Sequence, residues 1–350
     1  MLYKPQLVEA LVKEMKLRHK EFNAPLRSVY LGGGTPSRLD DSELMYIMEY
    51  IEKHIGIAAE AEITLEANPD DLSIEKLRFL KSAGINRLSI GVQSFFEDDL
   101  RFMNRAHNQQ EALNCIALAA QAGFEHLSID LIYGTPGLSN ERWIENLKTA
   151  SALPVDHLSC YALTVESGTP LSKSIRKGLV SSTDEETQAQ QFEILQSLAP
   201  ELGWDHYEIS NLSRAGAKAK HNSAYWEGLS YVGIGPSAHS FDGKQRRMNI
   251  ANNTQYIRGL AENDCPHELE FIDAITHYNE LILTGLRTSN GISKTALIQL
   301  GKSAVQAFAK ARKALPNPAI ILETETSFKL DTAHWLLADG IAASLFQDRI

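Results

Sequence analysis

Cysteine is scarce in this chain. Only Cys115, Cys160 and Cys265 occur in 350 residues, and gaps of 45 and 105 residues fit neither a local metal-ligand cluster nor a small disulfide framework. Long apolar runs are missing too: none approaches the roughly 20 residues that a membrane helix needs. Met1-Leu2-Tyr3-Lys4-Pro5 leads into a charged amphipathic segment rather than the apolar core of a signal peptide, so the expected location is the cytoplasm with no transmembrane segment. Basic charge is not in excess. With 34 Lys plus Arg against 44 Asp plus Glu, the formal charge of −10 argues against a nonspecific nucleic-acid binder. The glycine run Gly32-Gly33-Gly34 is followed by Thr35-Pro36, not by Gly-Lys-Ser/Thr, and it lacks the Gly-x-Gly-x-x-Gly spacing of dinucleotide sites.

What remains is an ordinary globular composition, 43% apolar and 22% charged, long enough for two or three domains. Leu7, Val8, Leu11, Val12 and Met15 fall at helical spacing, so an amphipathic helix over residues 6–17 opens the chain. Strand-like runs follow near Ser28, Glu62, Arg87, His126 and His157, with helical stretches at 41–54, 73–83, 111–122 and 140–152 between them. Such alternation predicts parallel strands joined by right-handed crossovers.

The strands share a tetrad: Ile63-Thr64-Leu65-Glu66, Ile90-Gly91-Val92-Gln93, Leu127-Ser128-Ile129-Asp130 and, more loosely, Leu158-Ser159-Cys160-Tyr161. Successive side chains alternate faces, so the first and third residues pack outward against helices and the second and fourth face the interior. A sheet covered by helices on both faces should be apolar throughout. Polar residues recurring at one phase near the C-terminal strand ends instead predict a β/α barrel, closed or partial, with a ligand in its mouth, over roughly residues 1–170.

After Pro170 the repeat stops. Ser181 to Glu186 resembles a helix start leading into a helix over 188–198, then a Gly- and Asn-punctuated region runs to about Pro266. From about Thr276 the pattern gives three helical stretches, a hairpin over 320–329 and a final helix, a winged-helix-like module. Lys294, Lys302, Lys310, Arg312 and Lys313 read as a solvated helix face rather than a nucleic-acid contact. The fold class expected is therefore α/β: a partial TIM-like β/α barrel over 1–200, a connecting region over 201–270 and a winged-helix-like C-terminal module over 271–350.

Several motifs occur in one order: Gly33-Gly34-Thr35-Pro36, Glu66-Ala67-Asn68-Pro69, Gly91-Val92-Gln93-Ser94, Asn104-Arg105-Ala106-His107 and Asp130-Leu131-Ile132-Tyr133-Gly134. In this the chain resembles the radical S-adenosylmethionine (SAM) proteins related to oxygen-independent coproporphyrinogen oxidase. Tyr207 to Asn211, His221-Asn222-Ser223-Ala224-Tyr225-Trp226, Gly233 to Ser240 and Thr284 to Thr288 resemble the HemW-type heme chaperone branch. By this resemblance Gly33, Gly34 and Thr35 would hold the methionyl amino group, Glu66 and Asp130 the ribose hydroxyls, and Gln93 and Arg105 the methionyl carboxylate.

The resemblance also implies a 4Fe-4S cluster on a Cys-x-x-x-Cys-x-x-Cys loop after a first barrel strand. Neither that strand nor those cysteines is in this chain, and Cys115, Cys160 and Cys265 do not replace them. His221 stands in a loop-like context rich in Asn, Ser and Gly. The resemblance implies that it binds heme, with Tyr225 and Trp226 against the porphyrin, while His239 carries less weight. Two functions follow: a heme chaperone delivering heme to respiratory apoproteins, or oxidative decarboxylation of coproporphyrinogen III. A third reading is a binding module that retains only nucleoside or heme contacts.

Overall fold

A computed structural model describes residues 4–348 of the chain. They form two compact units. One takes in Tyr30–Arg38 and Glu62–Ala219; the other takes in the N-terminal stretch to Val29, then Leu39–Ala61, then the chain from Lys220 onward.

A seven-stranded sheet is built from β1 (Leu26–Leu31), β2 (Ile57–Ala67), β3 (Arg87–Gln93), β4 (His126–Tyr133), β5 (His157–Ala162), β6 (Asp205–Glu208) and β7 (Asn211–Ser213). Its order, β1-β2-β3-β4-β5-β7-β6, does not return on itself, so the barrel is partial. Strands β2 to β5 pair in parallel, and β7 pairs antiparallel to β5. The antiparallel closure by β6 and β7 has no counterpart in the sequence pattern, because strands of four and three residues are too short to display a period.

Alternation gives the sheet its two faces. Leu65, Leu88, Ile90, Leu127, Ile129 and Leu158 are wholly buried. They share the phase that faces the crossover helices, whose own buried residues include Leu77 and Leu80, Ile116 and Ala119, and Trp143 and Leu147. Those helices are Ile74–Ser82, Gln109–Gln121 and Asn140–Ala152, each started by a capping side chain: Ser73, Asn108 and Ser139. Each cap satisfies a backbone N–H that has no partner within its helix. The stretch expected as one helix over 41–54 is an α-helix, Asp41–Tyr50, continued by a π-helical turn to Ile55.

The tetrads align by sequence but not by pairing. Glu66 lies level with Ser89, Ser89 with Ser128, and Ser128 with His157, which puts Asp130 one pleat beyond Glu66. Gln93 comes after a register shift and has φ of 72°. Parallel strands stagger as a barrel curls, so a repeat read along each strand carries no information on the offset between strands.

In the other unit the helix Lys4–Leu17 packs Ala10 against Tyr256 and Leu260 of the helix Asn253–Ala261. Strands β8 (His239–Phe241), β9 (Gln245–Asn249) and β10 (His267–Phe271) make an antiparallel sheet. The C-terminal part runs helix Ala274–Leu286, β11 (Ile292–Ser293), helices Lys294–Gln299 and Lys302–Ala314, then the hairpin of β12 (Ile321–Glu323) and β13 (Ser327–Leu330). That is winged-helix order. Its basic side chains are partly neutralised within the module: Lys294 and Arg312 both pair with Glu323, at 2.8 and 2.9 Å.

Candidate SAM cleft and heme motif

At the C-terminal ends of β1 to β4 lies a polar cleft of about 130 Å³, lined by Gly34, Thr35, Glu66, Asn68, Gln93 and Asp130 among others. Glu66 is fixed before any ligand arrives. Tyr30 Oη donates to its Oε1 at 2.8 Å, and the Gly33 N–H donates to its Oε2 at 3.2 Å. The glycine turn is shaped around this carboxylate: a Cβ on Gly32 would stand 2.6 Å from the Tyr30 ring and 2.8 Å from Glu66 Oε1. Gly33 has φ of 77°, which side-chain-bearing residues rarely adopt.

Asp130 receives a long bond of 3.4 Å from Ser89 Oγ. Burial pushes its carboxyl up to about 6, with the Glu66 charge adding to the rise and Ser159, Ser89 and Arg105 opposing it. Arg105 donates through Nη2 to Asn68 Oδ1 at 2.8 Å and to the Gly91 carbonyl at 3.0 Å. It forms no ion pair among the described residues, and burial pulls its pKa down against the attraction of Asp70 and Asp130. A partly buried guanidinium balanced only at a distance favours an incoming anion. Gly91 keeps room for it, since a Cβ there would lie 3.0 Å from Arg105 Nη2.

The cleft therefore offers two carboxylates, a cation, amide groups and backbone N–H donors in one polar space. These donors fit SAM, which carries vicinal hydroxyls, an amine and a carboxylate. Gly33, Gly34, Thr35, Glu66, Gln93, Arg105 and Asp130, singled out in the sequence, all belong to this region. Sequence reasoning passed over Asn68 and Ser89. Ser89 shares the inward phase of Gly91 and Gln93, so strict alternation would have found it. Asn68 orients Arg105 from within a motif already recognised, and only the contact reveals that role.

The three thiols do not join this arrangement. All are buried; Cys115 and Cys160 belong to one unit and Cys265 to the other. Burial pushes Cys115 up to about 12 and Cys265 up to about 11, the latter with help from Glu14, and burial raises Cys160 as well. No group of three or more His, Cys, Asp or Glu able to hold a metal is found among the described residues.

His221 lies on a helix, Lys220–Trp226, not in the loop its neighbours suggest. Its Nδ1 is 2.9 Å from Ser28 Oγ and its Nε2 is 3.1 Å from Tyr225 Oη. Tyr225 meets Tyr231 edge-on at 4.7 Å, and the Arg287 guanidinium covers the Trp226 ring at 5.4 Å while pairing with Asp339 at 2.7 Å. Trp226 is therefore engaged with Arg287, and Tyr225 is the aromatic ring of the motif left 42% exposed.

The Gly233 to Ser240 motif has a structural explanation. Glu14, fully buried, accepts from Arg18 at 2.7 Å, Asn249 at 2.7 Å, the Gly235 N–H at 2.8 Å and Tyr256 at 2.5 Å. Arg18 in turn donates to the Gly233 carbonyl and to Ser240. A Cβ on Gly233 would stand 2.0 Å from the His239 carbonyl oxygen, so the turn closes only around glycine. His239 itself is exposed.

Residues 3–150 match the family model of the radical SAM superfamily. The heme chaperone HemW of Bacillus subtilis (strain 168) is 34% identical over 340 residues, 96% of this chain and 90% of that protein. HemW of Mycobacterium tuberculosis (strain ATCC 25618 / H37Rv) is 34% identical over 285 residues, 81% of this chain and 73% of that one. Among solved structures, the radical SAM enzyme coproporphyrinogen III oxidase (HemN) of Escherichia coli matches with a TM-score of 0.84. It does so at 21% identity over 99% of this chain and 84% of that chain, a likeness of fold. No helix among the described residues is long and apolar enough to cross a membrane. Cleft, half-barrel and near-full-length kinship agree: the chain belongs to the HemW heme chaperone family, within the radical SAM superfamily.

Proposed function

We propose that this protein is a heme chaperone that binds heme at the Lys220–Trp226 helix and passes it to respiratory apoproteins, with SAM held in the polar cleft. The observation that carries the reading is family membership over nearly the whole chain, the His221 to Trp226 motif included. Ser28 supports the assignment of His221 to the heme site. A metal-site histidine has one ring nitrogen anchored by a hydrogen bond so that the ring keeps its orientation, and Ser28 Oγ provides that anchor at Nδ1.

In the cleft, Glu66 and Asp130 would accept from the ribose hydroxyls. Gly33, Gly34 and Thr35 would take the methionyl amine, and Gln93 with Arg105 the carboxylate. In its family SAM works with a 4Fe-4S cluster as a source of radical chemistry. The cleft residues bind and orient it.

Titrating hemin into the whole chain by absorbance tests the heme reading. A saturable shift of the Soret band is expected, weakened in His221→Ala and unchanged in Cys265→Ala. Spectra identical to hemin in buffer would overturn it.

A further inference from the structure

Gln93 ends β3 with φ of 72°, and the Ser94 N–H donates back to the Val92 carbonyl at 3.0 Å. A three-residue turn with a positive φ at its centre is the rare, strained form of the γ-turn. Such strain persists only where the surroundings over-determine it. Here they do so from both sides. Asn146, wholly buried on the crossover helix Asn140–Ala152 beside Trp143, Leu147 and Ala150, accepts from the Phe95 N–H through Oδ1 at 2.8 Å and donates through Nδ2 to Ser94 Oγ at 3.1 Å. Ser94 Oγ in turn donates to Asp99 Oδ2 at 2.7 Å, and on the other side the Val92 carbonyl accepts from His107 Nε2 at 3.1 Å. A buried amide is costly unless its polar ends are used, and Asn146 uses both on this turn. The result shows at Gly91, where a Cβ would lie 3.0 Å from Gln93 Nε2 and 3.0 Å from Arg105 Nη2, so both groups stand over one backbone position in the cleft.

Resting on the SAM reading of the cleft, we propose that Asn146 is a positioning residue for the methionyl carboxylate. Acting through Ser94 and Phe95, it holds Gln93 in the strained turn, so that the glutamine amide and the Arg105 guanidinium meet that carboxylate together. Arg105 supplies the charge, and Gln93 Nε2 supplies a neutral donor whose direction the turn fixes. A Gln93 released to an ordinary negative φ turns its side chain away from Gly91, and Arg105 then faces the carboxylate alone. The effect is confined to ligands that carry this carboxylate. Glu66 and Asp130, on β2 and β4, keep the ribose end of the cleft whatever the turn does.

The test is calorimetry of the whole chain with SAM and with decarboxylated SAM, which lacks only the carboxylate, on the wild type, Gln93→Ala, Asn146→Ala and the double variant, with circular dichroism confirming the fold of each. The wild type should prefer SAM. Gln93→Ala and Asn146→Ala should each weaken SAM by about tenfold, the loss of one hydrogen bond to a charged group, and leave decarboxylated SAM unchanged. The double variant should bind SAM no more weakly than Gln93→Ala, because the two residues act as one. Should Asn146→Ala fail to fold, Asn146→Asp keeps the acceptor for the Phe95 N–H, loses the donor to Ser94, and is read in the same way. An Asn146 variant that weakens both ligands equally, or neither, would overturn the proposal, as would losses that multiply in the double variant. Equal binding of the two ligands by the wild type, or SAM binding untouched by Gln93→Ala, would overturn it by taking the carboxylate away from Gln93. No SAM binding by the wild type would overturn the SAM reading as well.

Discussion

Asp130 sets how the cleft responds to pH. Its folded carboxyl, raised to about 6 by burial first and Glu66 second, lies above its ordinary value of 3.8. The stability tied to the protonated form is fully present below that ordinary value and is lost as pH rises through about 6. Ligand binding runs the other way, since only the ionised carboxylate offers every oxygen as an acceptor. SAM affinity measured by calorimetry should therefore rise between about pH 5 and pH 7, and Asp130→Asn should flatten the rise. Glu66→Ala should cost about 1–3 kcal/mol of SAM binding at neutral pH, the loss of a charged acceptor. An unchanged affinity in that variant would make Glu66 a holder of the glycine turn only.

Between elements, one carboxylate fastens the helix Lys4–Leu17 to the turn at Gly233–Gly235. Glu14 accepts four donors within 2.8 Å, from Arg18, Asn249, Gly235 and Tyr256. Removing it leaves Arg18 to Glu21 alone and strips Asn249, the Gly235 N–H and Tyr256 of a buried acceptor, so Glu14→Ala should destabilise the chain by about 3–5 kcal/mol in urea unfolding. Asn249→Ala, which leaves the ion pair in place, should cost about 1–3 kcal/mol. Equal effects would mean that the charge of Glu14 is not what matters. This network was not legible in the sequence, because a glutamate on a charged amphipathic helix, with Arg18 four residues on, reads as a solvated pair, and its other three partners lie more than 200 residues away. The repeating helices and strands were legible, since their caps and alternation are local. So were Glu66 and Asp130, set apart as charges at an inward phase. The six-residue helix Glu97–Phe102 and the short strands β6 and β7 span too few residues to show a period.

For the molecule as a whole, the placement of its thiols leads to a prediction about iron. Cys115 and Cys160 are buried in one unit and Cys265 in the other, each held as the neutral thiol by burial. Cluster ligands must be thiolates converging on one point. Anaerobic reconstitution of this chain with iron and sulfide should therefore leave no stoichiometric cluster, as iron analysis and EPR would report. A reducible cluster at one per chain would require Cys115 or Cys160 to leave the core. The division of the chain also bears on its synthesis. The distant donors that complete Glu14 are encoded 221 to 242 residues after it. At about 5–20 residues per second a ribosome needs roughly 11–50 s to reach them. During that interval the helix Lys4–Leu17 carries an ion pair awaiting its cradle and an apolar stripe of Val8, Val12 and Met15. That helix is thus made well before the turn that completes it, and a message truncated before Gly235 leaves it permanently without that turn.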